Sequence, residues 1–293
     1  MEVKMAPTKM WTNYSLHNAR KWLGRWTRWN PVTREVNESF KSIRHIELVE
    51  DMTKMKHQNT FIYDDDREPL TEGPMNGPWE YQRDRDCDEE GLCHPSTRLN
   101  SKKARAFFLE NGGGAWTVME PTLGDVFFQE NFFPNNDIRF STGMLYGKDG
   151  KALRLTAIRE DSRCRPSLYW SEDNQIKDSF SAPVQGTFIG TEQILTANLR
   201  QTVREGCEWD KEYWLQETRL LQDGNTLFYL PDNVALSCPL QLYEDSTNRQ
   251  FHISTFCLYD VNKDNPEIRV QTVFYEKGRF SCFKQGIYRK ASQ

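Results

Sequence analysis

Over most of its 293 residues the chain alternates polar and apolar side chains between short turns, and this pattern restricts the fold more than any other feature. Candidate strands at residues 38–49 and 53–63 are separated by the turn Glu50-Asp51, and Lys148-Asp149-Gly150 joins two later strands as a hairpin. The other candidate strands lie at residues 22–29, 79–82, 115–120, 125–130, 138–146, 152–160, 186–195, 213–221, 226–230, 234–237, 251–259, 267–275 and 280–288. Helical periodicity is confined to residues 12–22. The sequence therefore predicts an all-β protein with antiparallel strand pairing.

The length of the chain suits two units, and a meander of about eight strands hides its edges by closing into a barrel that has room for one small ligand. Residues 141–146 (STGMLY) resemble residues 254–259 (STFCLY), and a fainter match sets Gly24 beside Gly190. These matches favour duplication. We predict two tandem antiparallel β-barrels, at residues 12–162 and 163–293, the first carrying an acidic excursion at about residues 64–114.

Charge and composition exclude several classes of protein. The net charge of -4 and the pI near 5.8 give no overall field that attracts nucleic acid or anionic lipid. No apolar run reaches the roughly 18 residues of a membrane helix. The seven cysteines are irregularly spaced, which argues against a disulfide framework and for a reducing compartment, the plastid or the cytoplasm, with no transit peptide visible.

A candidate binding wall lies on the predicted strand at residues 53–63. Alternation puts His57, Asn59, Phe61 and Tyr63 on one face, where a polar pair stands beside two rings. The alternative interpretation turns this face to solvent, but the other face is less apolar. His57 titrates near neutral pH and is the best candidate for a catalytic acid or base, although a lone barrel histidine is more often structural.

The neighbouring strand places Phe40 and Arg44 on one face, and Arg44 facing inward needs a carboxylate partner, which a ligand can supply. Because consecutive strands usually pair, Arg44 and His57 are expected to converge. The aromatic content of 13% favours a cavity lined by rings. The predicted ligand-binding residues are Trp26, Phe40, Arg44, His57, Asn59, Phe61, Tyr63 and Tyr146.

The acidic run at Asp84, Asp86 and Asp88 imitates the opening of a calcium loop. Its sixth position is Glu89 instead of glycine, and its twelfth is Pro95 instead of glutamate, so calcium binding is not expected. Zinc spacing is incomplete as well. We predict no metal and no other cofactor, and interpret the run as a solvated loop.

The first strand opens with Gly24-x-Trp26, in the manner of the lipocalin and calycin barrels. A longer pattern is similar to a family of cyanobacterial and plastid proteins known as DUF3598, which resemble a pair of calycin barrels. That pattern comprises His17, Asn18, Trp22, Gly24, Trp26, Thr27, Arg28, Pro31, Ser39, Phe40, Ser42, Arg44, His57, Asn59 and Tyr63. The resemblance implies the fold and a photosynthetic lineage, and it gives Arg159 the role of covering the first-strand tryptophan.

Three functions follow as hypotheses. Lipocalin-like barrels related by this resemblance bind bilins, carotenoids, haem or fatty acids, so the first is a binding protein for a hydrophobic or aromatic small molecule (a tetrapyrrole, carotenoid or lipid). The second is a cofactor-free isomerase, cyclase or lyase that acts in the same cavity through His57. The third is a structural or assembly factor of the photosynthetic apparatus, with the acidic excursion as its protein contact.

Overall fold

The computed structural model describes residues 2–49, 51–97, 104–180, 185–211, 214, 224–242, 250–259 and 266–291. These residues form two large antiparallel sheets and a twelve-residue helix, α1 (Pro7–Asn18). The predicted all-β class is confirmed, and the two predicted antiparallel barrels correspond to two large antiparallel sheets, one of which forms a nearly closed barrel. Except for residue 214, the candidate strand at residues 213–221 lies outside the described residues.

Within the described residues, the first sheet has eleven strands, and a four-residue helix, α2 (Arg83–Asp86), separates two of them. The strands are β2 (Lys21–Trp29), β3 (Val36–Val49), β4 (Lys54–Ile62), β5 (Trp79–Gln82), β6 (Cys87–Asp88), β7 (Gly91–Leu92), β8 (Ala104–Phe108), β9 (Gly114–Val118), β10 (Phe127–Asn135), β11 (Ile138–Tyr146) and β12 (Ala152–Asp161). All predicted strands of this half are present, with ends shifted by a few residues.

The second sheet has eight strands in the described part of the chain. They are β1 (Glu2–Lys4), β13 (Phe188–Thr196), β14 (Arg200–Trp209), β15 (Asn225–Leu230), β16 (Val234–Pro239), β17 (Phe251–Tyr259), β18 (Glu267–Glu276) and β19 (Arg279–Lys290). The amino-terminal strand β1 pairs with β14. Apart from β1, the strands follow the division near residue 162, which we retain as a proposal for the domain boundary.

The first sheet forms a nearly closed barrel. Its strand order is β5-β4-β3-β2-β12-β11-β10-β9-β8-β7-β6, so the two edge strands are β5 and β6. These strands are consecutive in the chain and only α2 separates them, so the curled sheet brings its two edges close together. A sheet curled in this way encloses an interior.

Helix α1 covers one end of this barrel. It begins at Pro7, a residue that suits the first turn because its φ is fixed and it lacks an N–H. The Asn13 amide donates to the carbonyl of Phe108 at 2.9 Å, and the rings of Tyr14 and Phe108 lie 4.7 Å apart. The predicted helix extended to Trp22, but the chain turns after Asn18 and Trp22 belongs to β2. No helix among the described residues has the length and hydrophobicity needed to span a membrane.

The two sheets pack against each other through a largely apolar interface with buried hydrogen bonds. The Tyr259 hydroxyl donates to the Phe133 carbonyl at 2.6 Å, and the Tyr146 hydroxyl donates to the Pro239 carbonyl at 2.8 Å. One cluster of buried side chains runs through both sheets without interruption. The core is therefore shared between the two halves.

The similar segments at residues 141–146 and 254–259 do not occupy equivalent strands. β11 is two places from β2 in the first sheet, whereas β17 is three places from β13 in the second. The segments instead meet at the interface, where the hydroxyls of Thr142 and Thr255 lie 2.8 Å apart. The similarity of these segments therefore does not mark equivalent strands, and the duplication that it favoured stays a prediction.

The fainter match of two glycines agrees with the topology. Gly24 on β2 pairs with Glu160, and Gly190 on β13 pairs with Tyr288, so each glycine opposes the last strand of its sheet. An added Cβ would lie 2.8 Å from the Arg159 carbonyl oxygen at Gly24 and closer still to a backbone oxygen at Gly190. Both positions need a residue without a side chain.

The segment predicted as an acidic excursion has two parts. Residues 64–74 are exposed throughout. From Trp79 onward the segment supplies β5 to β8, and Phe107 and Phe108 are buried. Its later residues therefore form part of the barrel wall, because apolar side chains alternate among the charges.

The arginine expected over the first-strand tryptophan lies elsewhere. Arg159 faces away from the barrel interior, and its Nη1 donates to Asp232 Oδ2 at 2.9 Å in the second half of the chain. The guanidinium of Arg44 lies over the Trp26 ring instead, 5.4 Å from its centroid. The expectation was wrong because Arg159 follows the inward-facing Ile158 directly and alternation turns it outward.

Candidate functional site

The first barrel contains a cavity of about 250 Å³ beneath α1. Its lining residues are buried or half-buried, except for Pro74 and Ser96, which are exposed. The cavity therefore opens beside these two residues. The lining residues used below are Tyr14, Trp26, Arg44, His57, Asn59, Met75, Trp79, Tyr81, His94, Phe108, Trp116, Phe128, Glu130, Arg139, Leu145 and Arg154.

Aromatic rings form a continuous wall on one side of the cavity. The ring of His94 stacks on Trp116 with centroids 4.8 Å apart, and Trp116 contacts Phe128 at 4.5 Å. Trp79 meets His94 edge-on at 4.9 Å, and Tyr81 does so at 5.3 Å. Ring faces in this arrangement suit a flat, apolar partner.

His57 is buried and both of its ring nitrogens face hydrogen-bonding groups. Nε2 donates to Asn59 Oδ1 at 3.1 Å, and Nδ1 lies 3.5 Å from the Tyr81 hydroxyl. The Asn59 amide nitrogen donates to the Met75 carbonyl at 2.9 Å, which turns its oxygen toward His57. Burial, followed by the charge of Arg44, lowers the pKa of His57 well below its ordinary value, so the ring is neutral at pH 7.

Acidification should destabilise the protein partly through His57. The unfolded chain takes up a proton near pH 6.5 while folded His57 resists protonation, so its contribution to stability is present above that pH and is lost as the pH falls below it. We expect His57→Gln to remove up to about 1.4 kcal/mol per pH unit from the dependence of the unfolding free energy between pH 7 and 5. Urea unfolding at several pH values measures it.

His45→Gln is the matched control, because His45 is exposed on the outer face of the same strand pair. Burial lowers the pKa of His252 to about 4 and also lowers the pKa of His17. Both residues keep contributing to the pH dependence of the unfolding free energy in both variants. Equal pH dependence in His57→Gln and wild type would contradict the assignment.

Two buried arginines share one carboxylate at the helix end of the cavity. Glu160 Oε2 accepts from Arg139 Nε at 2.7 Å, and Glu160 Oε1 lies 3.0 Å from Arg44 Nε, although not in hydrogen-bonding geometry. The carboxylate partner of Arg44, which a ligand was expected to be able to supply, is thus Glu160 of the protein itself. Nearby, burial raises the pKa of Glu130, which accepts from the Ser141 hydroxyl at 2.7 Å.

The structure brings together four of the eight predicted binding residues at the cavity, namely Trp26, Arg44, His57 and Asn59. Phe40, Phe61 and Tyr63 lie on the predicted inward face but pack around Trp26, where they fill the barrel beside the cavity. Tyr146 lies on the opposite face of β11, in the interface between the sheets.

The residues that the sequence analysis missed come mainly from the segment interpreted as an excursion. Trp79, Tyr81, His94 and Phe108 all belong to it, and α1 supplies Tyr14. The alternation Trp79-x-Tyr81 was visible as one strand, but its membership of this wall depends on barrel closure. His94 stood out in the sequence only as part of the incomplete zinc pattern with Cys87 and Cys93, which gave no sign of its place in this wall.

A smaller cavity of about 60 Å³ lies in the second half, beside Glu192, Trp209 and Lys284. Glu192 already pairs with Lys284 at 2.8 Å. Among the described residues, no group of three or more His, Cys, Asp or Glu side chains has an arrangement that would hold a metal ion. Asp86, part of the calcium-like run, is buried and accepts from the backbone N–H of Gln82 at 2.7 Å.

Comparison with known proteins identifies relatives of this fold. A family model described as domain of unknown function (DUF3598), N-terminal, matches residues 7–164. A crystal structure of a DUF3598 protein of unknown function from the cyanobacterium Nostoc punctiforme has a TM-score of 0.60 at 13% identity and covers 96% of this chain and 99% of that chain. No curated protein sequence matches this chain.

A second solved structure, an S-type phycobiliprotein lyase from Guillardia theta, has a TM-score of 0.34 at 11% identity. It covers 55% of this chain and 94% of that chain, and at this TM-score it does not establish a common fold. The resemblance predicted from the motif is confirmed by the family model, which spans more than half of the chain. The chain therefore belongs to the DUF3598 family.

Proposed function

We propose that the first barrel is a binding site for a small molecule with a flat, conjugated or aromatic ring system. The supporting observation is the continuous ring wall of His94, Trp116 and Phe128, which faces a cavity open to solvent. Trp116 on β9 and Phe128 on β10 are held by the sheet, so their rings lose little conformational freedom when a ligand stacks on them. Among the ligand classes that the sequence left open, a tetrapyrrole-type pigment offers the ring faces that this wall suits.

The volume of the cavity limits how the ligand sits. At about 250 Å³ it falls just below the range of about 300 to 1,000 Å³ typical of pockets for drug-sized ligands. It therefore encloses one or two rings, and the remainder of a larger ligand extends through the opening beside Pro74 and Ser96. A long polyene or acyl chain finds less support here than a ring.

The second hypothesis, catalysis in the same cavity, has less support because of the contacts that His57 makes. A general base needs a free nitrogen within reach of the substrate, and both nitrogens of His57 face protein groups. Its lowered pKa also leaves it without the second proton that a general acid would donate at neutral pH and makes it a weaker base. We therefore propose that His57 positions the wall. Conversion of a bound pigment, seen as a product of different mass or absorbance, would revive the isomerase, cyclase or lyase hypothesis.

Substitution of Trp116 tests the proposed site. We expect Trp116→Leu to weaken binding of a tetrapyrrole such as haemin or biliverdin about tenfold, because leucine stays apolar but offers no ring face. Titration by absorbance gives the Kd, and native mass spectrometry gives the stoichiometry. Tyr169→Ala is the control, because this exposed ring lies outside the cavity. Failure of the wild type to take up any ring compound would contradict the proposal.

The third hypothesis and the compartment also remain proposals. A protein contact through the acidic excursion is now best sought at residues 64–74, which are exposed and precede the barrel strand β5.

For the compartment, we propose a reducing one, the plastid or the cytoplasm. All seven cysteines are unpaired, and burial raises the pKa of the Cys238 and Cys257 thiols to about 12, which keeps them unreactive.

A further inference from the structure

The interior of the first barrel carries more positive than negative groups, although the whole chain has a net charge of -4. Four guanidinium groups and three carboxyl groups occupy inward-facing positions of β2, β3, β10, β11 and β12. They belong to Arg28, Arg44, Arg139, Arg154, Glu38, Glu130 and Glu160. Burial raises the pKa of Glu130, which disfavours its charged form.

Three of the four arginines have an acidic partner within the barrel. Arg28 Nη1 lies 2.6 Å from Glu38, and Arg44 and Arg139 share Glu160. Arg154 accounts for the excess charge. Among the described residues, no group accepts a hydrogen bond from its guanidinium, no carboxylate lies within ion-pair distance, and its Nε is buried without a partner.

Arg154 lies in the rim of the cavity, on the same side as the ring wall. It pairs with Leu145 on β11, and Leu145 pairs with Phe128 on β10, so two strand spacings, about 10 Å, separate the backbones of Arg154 and Phe128. All three residues line the cavity and are half-buried. Phe128 in turn contacts Trp116. The guanidinium of Arg154 is therefore close enough to the ring wall for a short substituent of a stacked ligand to reach it.

We propose that the ligand carries a carboxylate on a short arm attached to its ring system, and that Arg154 binds this carboxylate. The inference rests on the proposed ring-binding function and adds the chemical class of the ligand. A planar guanidinium offers paired N–H donors that match a carboxylate, and partial burial strengthens the interaction. Burial and the neighbouring Arg28 lower the pKa of Arg154 more than the carboxyl groups of Glu38 and Glu130 raise it, so an added negative charge relieves an unfavourable field.

A matched pair of probes separates this inference from the ring-binding function. Naphthalene-1-butyric acid has two flat, fluorescent fused rings, which the cavity can enclose, and a carboxylate on a short arm, and its primary amide differs only in the absence of charge. We expect the wild-type chain to bind the acid about tenfold to a hundredfold more tightly than the amide, measured by fluorescence titration. If the two bind equally, ring binding stands and the carboxylate inference fails. If neither binds, both proposals fail.

Substitution of Arg154 then assigns the group. We expect Arg154→Met to abolish the preference for the acid while the Kd of the amide stays within about twofold, and Arg154→Lys to restore part of the preference. Arg163→Met is the control, because Arg163 is exposed and outside the cavity. A preference for the acid that persists in Arg154→Met would overturn the assignment. Thermal unfolding of each apo variant checks that the fold is retained.

Discussion

Glu160→Gln should destabilise the protein by about 3–5 kcal/mol, because it leaves two buried guanidinium groups without a counter-charge. Glu160 and Arg139 are almost completely buried, and Arg139 Nη2 and Nε lie 2.6 and 2.7 Å from Glu160 Oε2. Glutamine keeps the shape of the side chain and removes only the charge. Equilibrium urea unfolding at pH 7 measures the loss.

Two further variants sharpen this test. Glu120→Gln is the control, because Glu120 lies 3.8 Å from Arg279 with both side chains largely exposed, and should cost at most about 1 kcal/mol. Adding Arg44→Met to Glu160→Gln should recover part of the stability, because one of the two unpaired charges is removed. A loss in Glu160→Gln no larger than that in Glu120→Gln would show that the cluster contributes little.

Trp22→Ala should cost a similar amount, about 3–5 kcal/mol, through the cavity that it leaves. Trp22 is fully buried, its Nε1 donates to the Asn18 carbonyl at 3.0 Å, and the Arg139 guanidinium lies 4.7 Å from its ring centroid. The ring thus joins the end of α1 to the first strand of the barrel. Thermal and urea unfolding both report the change.

Trp22→Phe separates the ring from its hydrogen bond. Phenylalanine retains a ring beneath Arg139 but cannot donate to Asn18, so we expect a smaller loss than for alanine. Leu168→Ala, at a side chain that is 90% exposed, should change the unfolding free energy by no more than about 0.5 kcal/mol. Equal losses for the phenylalanine and alanine variants would mean that the hydrogen bond, and not the packing, dominates.

Strand positions and inward faces were predictable because alternation is a local property. His57, Asn59, Phe61 and Tyr63 share the inward face of the barrel as predicted, and β11 and β17 have the predicted bounds. Strand β14, Arg200–Trp209, was not predicted, because charged, exposed residues interrupt its alternation. Strand β8 was not predicted either, because an acidic run precedes apolar residues such as Phe107.

The sequence by itself determined the all-β class, the order of most strands and the family, since each depends on local pattern or on a motif. Only the tertiary structure decided which inward residues meet at the cavity. His94 and Trp116 stack although 22 positions separate them by their numbering, and Arg44 finds its partner in Glu160 instead of a ligand. Both outcomes depend on how the sheet curls into a barrel. This curling brings together residues that lie far apart along the chain, and the local periodicity of the sequence does not show which of them meet.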